Sequence, residues 1–173
     1  MAELSPDIFV KAPKVLLHDH LDGGMRPETV VELAAETGYA DLPTTDVDEL
    51  AAWVRRGADR NKLELYLETF AHTVGVTQTP DALERSAHEA AEDLANDGVV
   101  YAEIRFAPEQ HMQRGLTLDD VVEATLRGFR SGTAGTDLTV GVICSAMRQE
   151  ARSHEIAELA IRHRDEGVVG FDI

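Results

Sequence analysis

Four short apolar runs of β-type residues recur along the chain, and helical patterns separate them. One helical pattern lies between the second and third runs and one between the third and fourth, whereas several lie between the first and second. Strands that alternate with helices pair in parallel through right-handed crossovers. The sequence therefore predicts an α/β fold with four parallel strands and extra helices between strands 1 and 2. The four runs are 15–17 with the polar residues that follow, 99–106, 138–144 and 168–173.

Four strands allow two architectures. Eight-stranded α/β barrels typically need about 250 residues, and this chain has 173. We expect either a small open α/β sheet or the first half of a (β/α)8 TIM barrel. In the second case, residues 1–173 are the N-terminal half of a single barrel domain, and its C-terminal half is absent from this chain.

Charge and composition exclude some classes of function. The net charge of −16 disfavours binding to nucleic acid, which needs clustered Lys and Arg, and to anionic membrane surfaces. No apolar stretch approaches the roughly 20 residues that span a bilayer, and the first residues do not resemble a signal peptide. Cys144 is the only cysteine, so no intrachain disulfide can form. We expect a cytoplasmic protein.

The helix ends carry recognisable signals. Pro27 suits the first turn of a helix that Gly38 ends. Asp46, Thr79 and Thr117 are typical N-cap residues for later helices. These signals predict helices over about 27–37, 47–57, 62–74, 80–96, 118–129 and 154–164.

Two histidines lie where the first apolar run ends. Residues i and i+2 of a strand point to the same face, so His18 and His20 should project together. The carboxyl end of a parallel strand is where α/β barrels carry their chemistry, and two neutral imidazoles make half of a zinc site. Two solvated polar groups at the rim of a sheet would give the same pattern, so the pair alone leaves both interpretations open.

Four separated blocks of sequence resemble the adenosine deaminases. The first block, 14–23 followed by 26–29, resembles their opening, in which a strand ends in His-x-His-Leu-Asp-Gly before a helix that starts Pro-Glu-Thr. The resemblance continues through 98–108, 143–148 and 168–173. It implies a zinc-dependent α/β barrel that hydrolyses the six-amino group of adenosine or deoxyadenosine, giving inosine or deoxyinosine and ammonia.

The resemblance also implies roles for individual residues. Two histidines would ligate zinc, and one of them would also lie against the substrate. An aspartate would hold the ribose 5′-hydroxyl, three apolar residues would form a lid over the purine, and a second aspartate would orient metal ligands. Ordinary helix packing is the alternative for the lid residues, and a strand-end carboxylate that caps a helix is the alternative for the second aspartate. The zinc ligands would be His18 and His20, and His20 is the one that would also lie against the substrate. The ribose would be held by Asp22, the lid would consist of Tyr66, Leu67 and Phe70, and the second aspartate would be Asp172.

The rest of such an active site is expected beyond Ile173. The proton-donating glutamate and the remaining zinc ligands come later in members of the family, so the 173-residue chain alone should be inactive and could self-associate through an open half-barrel. Two alternatives stay open. One is a deaminase of adenine or of a modified adenosine, and the other is a non-catalytic half-length protein that associates with a partner.

The other polar candidates have structural interpretations. We expect Cys144 to be a small buried hydrophobe and Glu103 and Arg105 to form ion pairs with each other or with neighbours. The remaining histidines should be structural or solvated, with the last two on a charged, solvated helix face. These are His72, His88, His111, His154 and His163.

Overall fold

A parallel sheet of four strands, which lie side by side in the order of the sequence, forms the centre of the computed structural model. The structure describes residues 6–58 and 63–173, without the side chains of residues 6, 10, 58 and 63–66. Each strand pairs in parallel with the next, so the predicted α/β class with four parallel strands is confirmed. The strands are β1 Lys14–His20, β2 Val99–Phe106, β3 Thr139–Ser145 and β4 Val168–Asp172.

The helices lie close to their predicted positions, and their caps form as expected. Thr117 and Asp120 make a reciprocal capping box, Thr79 accepts a hydrogen bond from the Ala82 backbone N–H, and Gly38 takes the left-handed conformation. A helix at Pro6–Lys11 and two 3-10 turns, Leu21–Gly23 and Pro108–His111, were not predicted from the sequence. The helices are α1 Pro6–Lys11, α2 Pro27–Thr37, α3 Val47–Ala58, α4 Leu63–Val76, α5 Pro80–Asn96, α6 Leu118–Gly132 and α7 Ser153–Arg162.

The main core lies on one face of the sheet. Alternate residues of β2 are buried there, namely Ala102, Ile104 and Phe106, and they belong to one apolar cluster with residues of α5, α6 and α7. This alternation is the period-2 pattern of a strand whose two faces differ in environment. The core therefore fixes the side from which the helices support the strands.

The two edge strands expose large apolar side chains. Val15 and Leu17 of β1 are 59% and 56% exposed, and Val169 of β4 is 54% exposed. β1 pairs only with β2, and β4 pairs only with β3, within the described ranges. The sheet consequently has two open edges.

A second, smaller core joins α2, α3 and α4. It contains Val30, Leu33 and Leu50, with Tyr39 and Trp53 packed against it, and α4 also contacts the 3-10 turn that follows β1. The extra helices between β1 and β2 thus lie beside the carboxyl end of β1. No helix in the described part of the chain combines the length and the apolar character needed to cross a membrane.

Candidate active site at the carboxyl ends of the strands

The two histidines of β1 lie side by side, as their spacing predicted. The ring centroids of His18 and His20 are 5.5 Å apart, with 40° between the ring planes, and both residues are exposed. The pairing of β1 with β2 is irregular between Leu16 and Asp19, so the rings approach each other at a break in the regular ladder.

This histidine pair fits part of a zinc site. Neutral imidazole nitrogens are suitable zinc ligands, but a catalytic zinc takes three protein ligands and one open position. Among residues 6–58 and 63–173, no group of three or more His, Cys, Asp or Glu side chains is arranged to hold a metal ion. His18 and His20 could therefore supply two ligands, and a further ligand has to come from elsewhere.

Asp22 lies on the 3-10 turn directly after β1 and carries a buried oxygen. Its Oδ1 has no hydrogen-bond partner among the described residues. Burial raises the pKa of the Asp22 carboxyl, although backbone N–H groups and the charge of His20 oppose this effect. The carboxyl forms part of the wall of a cavity between this turn and α2, α3 and α4. Most of that wall is apolar, including Met25, Val30, Leu50, Trp53 and Phe70.

Of the three residues predicted to form a lid, Phe70 lines this cavity. Its ring meets that of His20 edge-on, with centroids 6.4 Å apart and 72° between the planes. A Cβ on Gly23 would lie 3.4 Å from the Phe70 ring, so the turn after β1 and α4 are in close contact. Leu67 is 52% exposed and is not one of the residues that line the cavity. The Tyr66 side chain is outside the part of the chain that the structure describes.

Asp172 ends β4 and pairs with an arginine from β2. Arg105 Nη1 donates a hydrogen bond to Asp172 Oδ2, whereas Glu103 accepts one from the Tyr101 hydroxyl at 3.0 Å. An ion pair of Arg105 with a neighbour was expected, and the neighbour is Asp172. The strand register places Arg105 beside His20, and the Arg105 side chain reaches across β3 to the end of β4.

Two further polar groups at this edge were missed from the sequence. Glu109, whose side chain is 2% exposed, accepts a hydrogen bond from the Met147 backbone N–H through Oε1, and its Oε2 has no hydrogen-bond partner in the described ranges. Ser145 ends β3, and its buried Oγ is likewise unpaired there. Each is a polar residue at or just after the end of a strand, which is the signal that could have identified them.

Buried polar atoms without hydrogen-bond partners are concentrated at this edge. Within the described ranges there are four, Asp22 Oδ1, Arg105 Nε, Glu109 Oε2 and Ser145 Oγ, and all four lie at or just after the ends of β1, β2 and β3. Buried polar groups are nearly always hydrogen-bonded in folded proteins. The carboxyl edge of the sheet is therefore the candidate binding region.

One expectation about the other histidines was wrong. His154 is solvated, with a side chain 90% exposed, but His163 is buried. Its Nε2 lies 2.9 Å from Asp119 Oδ1 and its Nδ1 lies 3.2 Å from Glu166 Oε2. The helix pattern could not show this, because Asp119 comes from α6.

The remaining candidates are structural. His111 is buried against Thr77, and burial lowers its pKa to about 4. His72 Nδ1 lies 3.0 Å from the Tyr39 hydroxyl. Cys144 is fully buried, and burial, with a smaller contribution from the charge of Asp172, raises the pKa of its thiol to about 12. A thiol held in that state is a poor nucleophile.

Comparison with known proteins decides the family. The adenosine deaminase family model matches residues 13–173. The chain belongs to the adenosine deaminase family. It is 65% identical to adenosine deaminase 1 of Streptomyces coelicolor over 174 aligned residues, which cover 98% of this chain and 44% of that protein. The chain spans about half the length of the curated adenosine deaminases that it matches.

Solved structures show the same architecture. The crystal structure of Arabidopsis N6-mAMP deaminase superposes with a TM-score of 0.80 and 27% identity, covering 96% of this chain and 51% of that one. An amidohydrolase from Burkholderia ambifaria, solved with bound Zn, gives a TM-score of 0.77 and 26% identity, covering 98% of this chain and 47% of that one. These neighbours confirm that the sheet is of the amidohydrolase TIM-barrel type.

Proposed function

We propose that the protein is a zinc-dependent adenosine deaminase that hydrolyses the six-amino group of adenosine or deoxyadenosine, releasing inosine or deoxyinosine and ammonia. The observation that carries the proposal is the grouping of His18, His20, Asp22 and Phe70 at the carboxyl end of β1. Family membership makes this grouping chemically meaningful, because curated members are named adenosine deaminase.

Some of these side chains would bind the metal, and others would bind the substrate. His18 and His20 would hold zinc through ring nitrogens, and bound zinc supplies the Lewis acidity that activates water for hydrolysis. Asp22 accepts a hydrogen bond from the ribose 5′-hydroxyl through its unpaired oxygen. Phe70, with Leu67 and Tyr66, covers the purine. Asp172 orients the metal ligands, which is a role that carboxylates near metal sites commonly have.

We further propose that residues 1–173 are the first half of one barrel domain. The proton-donating glutamate and the remaining zinc ligands then follow Ile173 in the protein, and the 173-residue chain alone is inactive. Exposed Val15, Leu17 and Val169 on the edge strands support this proposal, since further strands would cover them. Without those strands, the same surfaces favour self-association. A single buried cysteine fits a cytoplasmic location.

The test is a deaminase assay of the protein expressed from its complete reading frame. Adenosine and deoxyadenosine should be deaminated, a chelator should abolish the activity and added zinc should restore it. Activity that persists in a verified metal-free preparation would refute the zinc mechanism. In the same assay, Asp22→Ala should raise KM for adenosine, because the 5′-hydroxyl loses its acceptor, and an unchanged KM would remove that role.

Additional measurements on the same protein distinguish two alternative functions from this proposal. A preference for adenine or a modified adenosine is the first, and the likeness to the Arabidopsis N6-mAMP deaminase favours including N6-methyl-AMP as a substrate. The second is a non-catalytic half-length protein. A reading frame that ends at Ile173, together with a well-behaved monomer in light scattering, would support it and contradict the half-barrel.

A further inference from the structure

The loop between β3 and α7, residues 146–152, meets one buried carboxylate at both of its ends. Near its start, the Met147 backbone N–H donates a hydrogen bond to Glu109 Oε1. At its end, Arg152 Nε lies 4.0 Å from Glu109 Oε2. Glu109 belongs to the 3-10 turn after β2, so a single side chain of a neighbouring turn contacts both ends of this loop.

The charge of the Glu109 carboxylate is only partly compensated. Its side chain is 2% exposed, and its Oε2 has no hydrogen-bond partner among the described residues. A buried carboxylate is costly unless it is both paired and hydrogen-bonded. The distance to Arg152 Nε is about 1 Å longer than a charge-assisted hydrogen bond, so a small movement of the arginine would complete the contact.

Arg152 is hydrogen-bonded to a different carboxylate. Its Nε and Nη2 donate to the two oxygens of Glu155, at 2.8 and 3.0 Å. The Glu155 side chain is 50% exposed, so water can replace the arginine there at little cost in free energy. Because Nε carries a single hydrogen, Glu155 and Glu109 compete for it.

The loop borders the carboxyl edge of the sheet. It begins directly after Ser145, and the Ala146 backbone N–H donates to the Asp172 carbonyl oxygen at 2.9 Å. Ala151, just before Arg152, has a φ of 52°, a left-handed conformation that is uncommon outside glycine. Backbone conformations of this kind cluster at ligand-binding and switch segments. A change in the position of this loop would therefore change the candidate binding region.

We propose that Arg152 exchanges partners between Glu155 and Glu109, and that this exchange opens and closes the β3–α7 loop over the carboxyl edge. In the open form, which the structure shows, Arg152 pairs with Glu155. In the closed form, Arg152 Nε donates to Glu109 Oε2, and the loop is fixed at both ends. Arg152 and Glu109 are positioning residues and contact no substrate. The link to substrate binding rests on the proposed function, whereas the exchange itself does not.

Trypsin cleavage of the unliganded protein, expressed from its complete reading frame, measures the opening of the loop. Arg148 is an exposed residue of the loop, and cleavage after it is followed by mass spectrometry. Arg130 is an exposed residue within α6, and cleavage after it requires the helix to unfold. The ratio of the two rates separates loop opening from unfolding.

The variants are Glu109→Gln, Glu155→Gln, Arg152→Gln and the double variant Arg152→Gln/Glu155→Gln. Arg152→Gln cannot close the loop by this exchange, so its cleavage rate defines the open form, and the closed-to-open ratio of each other protein follows from that rate. Glu158→Gln is the matched control. It removes the same charge from α7, but Glu158 lies beside His154 and not beside Arg152.

The two carboxylates should have opposite effects on the closed-to-open ratio. Glu109→Gln keeps an oxygen for the Met147 N–H but removes the charge that attracts Arg152, so the cleavage rate should rise to that of the open form. Glu155→Gln removes the competitor and should raise the ratio by about two- to five-fold, the bias that a partly exposed ion pair gives an equilibrium. In the double variant Glu155→Gln should have no further effect, and Glu158→Gln should match the parent protein.

The same variants connect the loop with the proposed activity. KM for adenosine should rise in Glu109→Gln and fall in Glu155→Gln, because a closed loop retains the substrate. A merely structural role of these carboxylates would not shift KM in opposite directions.

The exchange is overturned if Arg152→Gln is cleaved at the parent's rate, if the two carboxylate variants shift the ratio in the same direction, or if Glu155→Gln still acts without Arg152. Opposite shifts in cleavage with an unchanged KM would overturn the link between the loop and the substrate. The proposed activity fails separately: a protein that leaves adenosine intact refutes the deaminase, while the cleavage rates, which need no substrate, still test the exchange.

Discussion

The α5–α6 layer and the carboxyl edge of the sheet differ in how far their buried polar groups are hydrogen-bonded. In the layer, buried hydroxyls return hydrogen bonds to their own helix: Ser86 donates to the Ala82 carbonyl at 2.8 Å and Thr125 to the Val121 carbonyl at 2.9 Å. At the edge, four buried polar atoms have no hydrogen-bond partner within the described ranges, although Glu109 Oε2 lies 4.0 Å from Arg152 Nε. The buried hydroxyls of the layer are hydrogen-bonded within the fold, whereas the buried polar atoms of the edge are available to the proposed ligand.

The packing differs in the same direction. α6 approaches α5 so closely that a Cβ on Gly128 would lie 2.2 Å from the Glu84 carbonyl oxygen. The edge instead contains a cavity beside Asp22 and Phe70. We infer that stability and the proposed binding depend on separate parts of this half-barrel. The protonation of one histidine and two substitutions test that inference.

The largest expected effect is a loss of stability when His111, which is buried on the 3-10 turn after β2, becomes protonated. Its Nδ1 lies 3.0 Å from both the hydroxyl and the carbonyl oxygen of Thr77, and burial lowers its pKa to about 4 from 6.5. Between these two values the unfolded chain binds a proton that the folded chain does not, so stability falls as the pH decreases from 6.5 to about 4. The shift corresponds to about 3 kcal/mol.

Urea unfolding at a series of pH values from 7.5 to 4 measures this loss of stability. His111→Leu should remove it, so the variant should lose about 3 kcal/mol less than the parent protein over that range. His154→Leu is the control, because His154 is solvated, and it should show the parent's full loss. Parallel curves for the parent protein and His111→Leu would contradict the assignment.

The second expected effect comes from overfilling the α5–α6 contact. In Gly128→Ala the new Cβ meets backbone atoms of Glu84 and the Cβ of Ala87, which cannot rotate away. Overpacking typically costs about 1–3 kcal/mol, and the better helix propensity of alanine returns at most about 1 kcal/mol. We expect a net loss of about 2 kcal/mol in urea unfolding, as overpacking dominates.

The exposed Arg130 on the same helix provides the control for this change. Arg130→Ala should shift the free energy of unfolding by no more than about 0.5 kcal/mol, as is usual for surface substitutions. The zinc affinity of the folded Gly128→Ala protein should equal that of the parent. A change in zinc affinity without a loss of stability would mean that the layer and the edge are not separate.

Local signals in the sequence predicted most of the fold. Caps such as Thr79 and Thr117 act within three residues, and the i, i+2 rule places His18 and His20 on one side of β1 even though the pairing with β2 is irregular there. The short α1 helix was missed because six residues are too few to show a helical period.

Long-range partners could not be predicted in the same way. His163 was expected in solvent because its own helix is charged, but its environment is set by Asp119 on α6. The partner of Arg105 was left open for the same reason, since Asp172 is 67 residues away along the chain. Periodicity reports how one element is built, whereas burial and pairing depend on which elements meet.

The smallest expected effect has the opposite sign, because Asp22 lies at the edge. Burial raises the pKa of its carboxyl, so the folded protein disfavours the charged form. Any stability that Asp22 contributes is present below its unfolded pKa and is lost as the pH rises through the folded value. Asp22→Asn removes the charge while keeping the shape, and at pH 7 it should raise the free energy of unfolding by about 1 kcal/mol, the lower range for relieving an unpaired buried polar group.

The same substitution should weaken the proposed enzyme. An amide is a poorer acceptor than a carboxylate for the ribose hydroxyl, so KM for adenosine should rise while the protein becomes more stable. Asp120→Asn is the matched control, because Asp120 accepts hydrogen bonds from Thr117 in the capping box and its pKa is lowered as a result; losing that carboxylate should destabilise the protein and leave KM unchanged. If Asp22→Asn also destabilised the protein, the Asp22 carboxylate would contribute to folding, as the polar groups of the α5–α6 layer do. That result would contradict the proposal that the edge binds a ligand through Asp22.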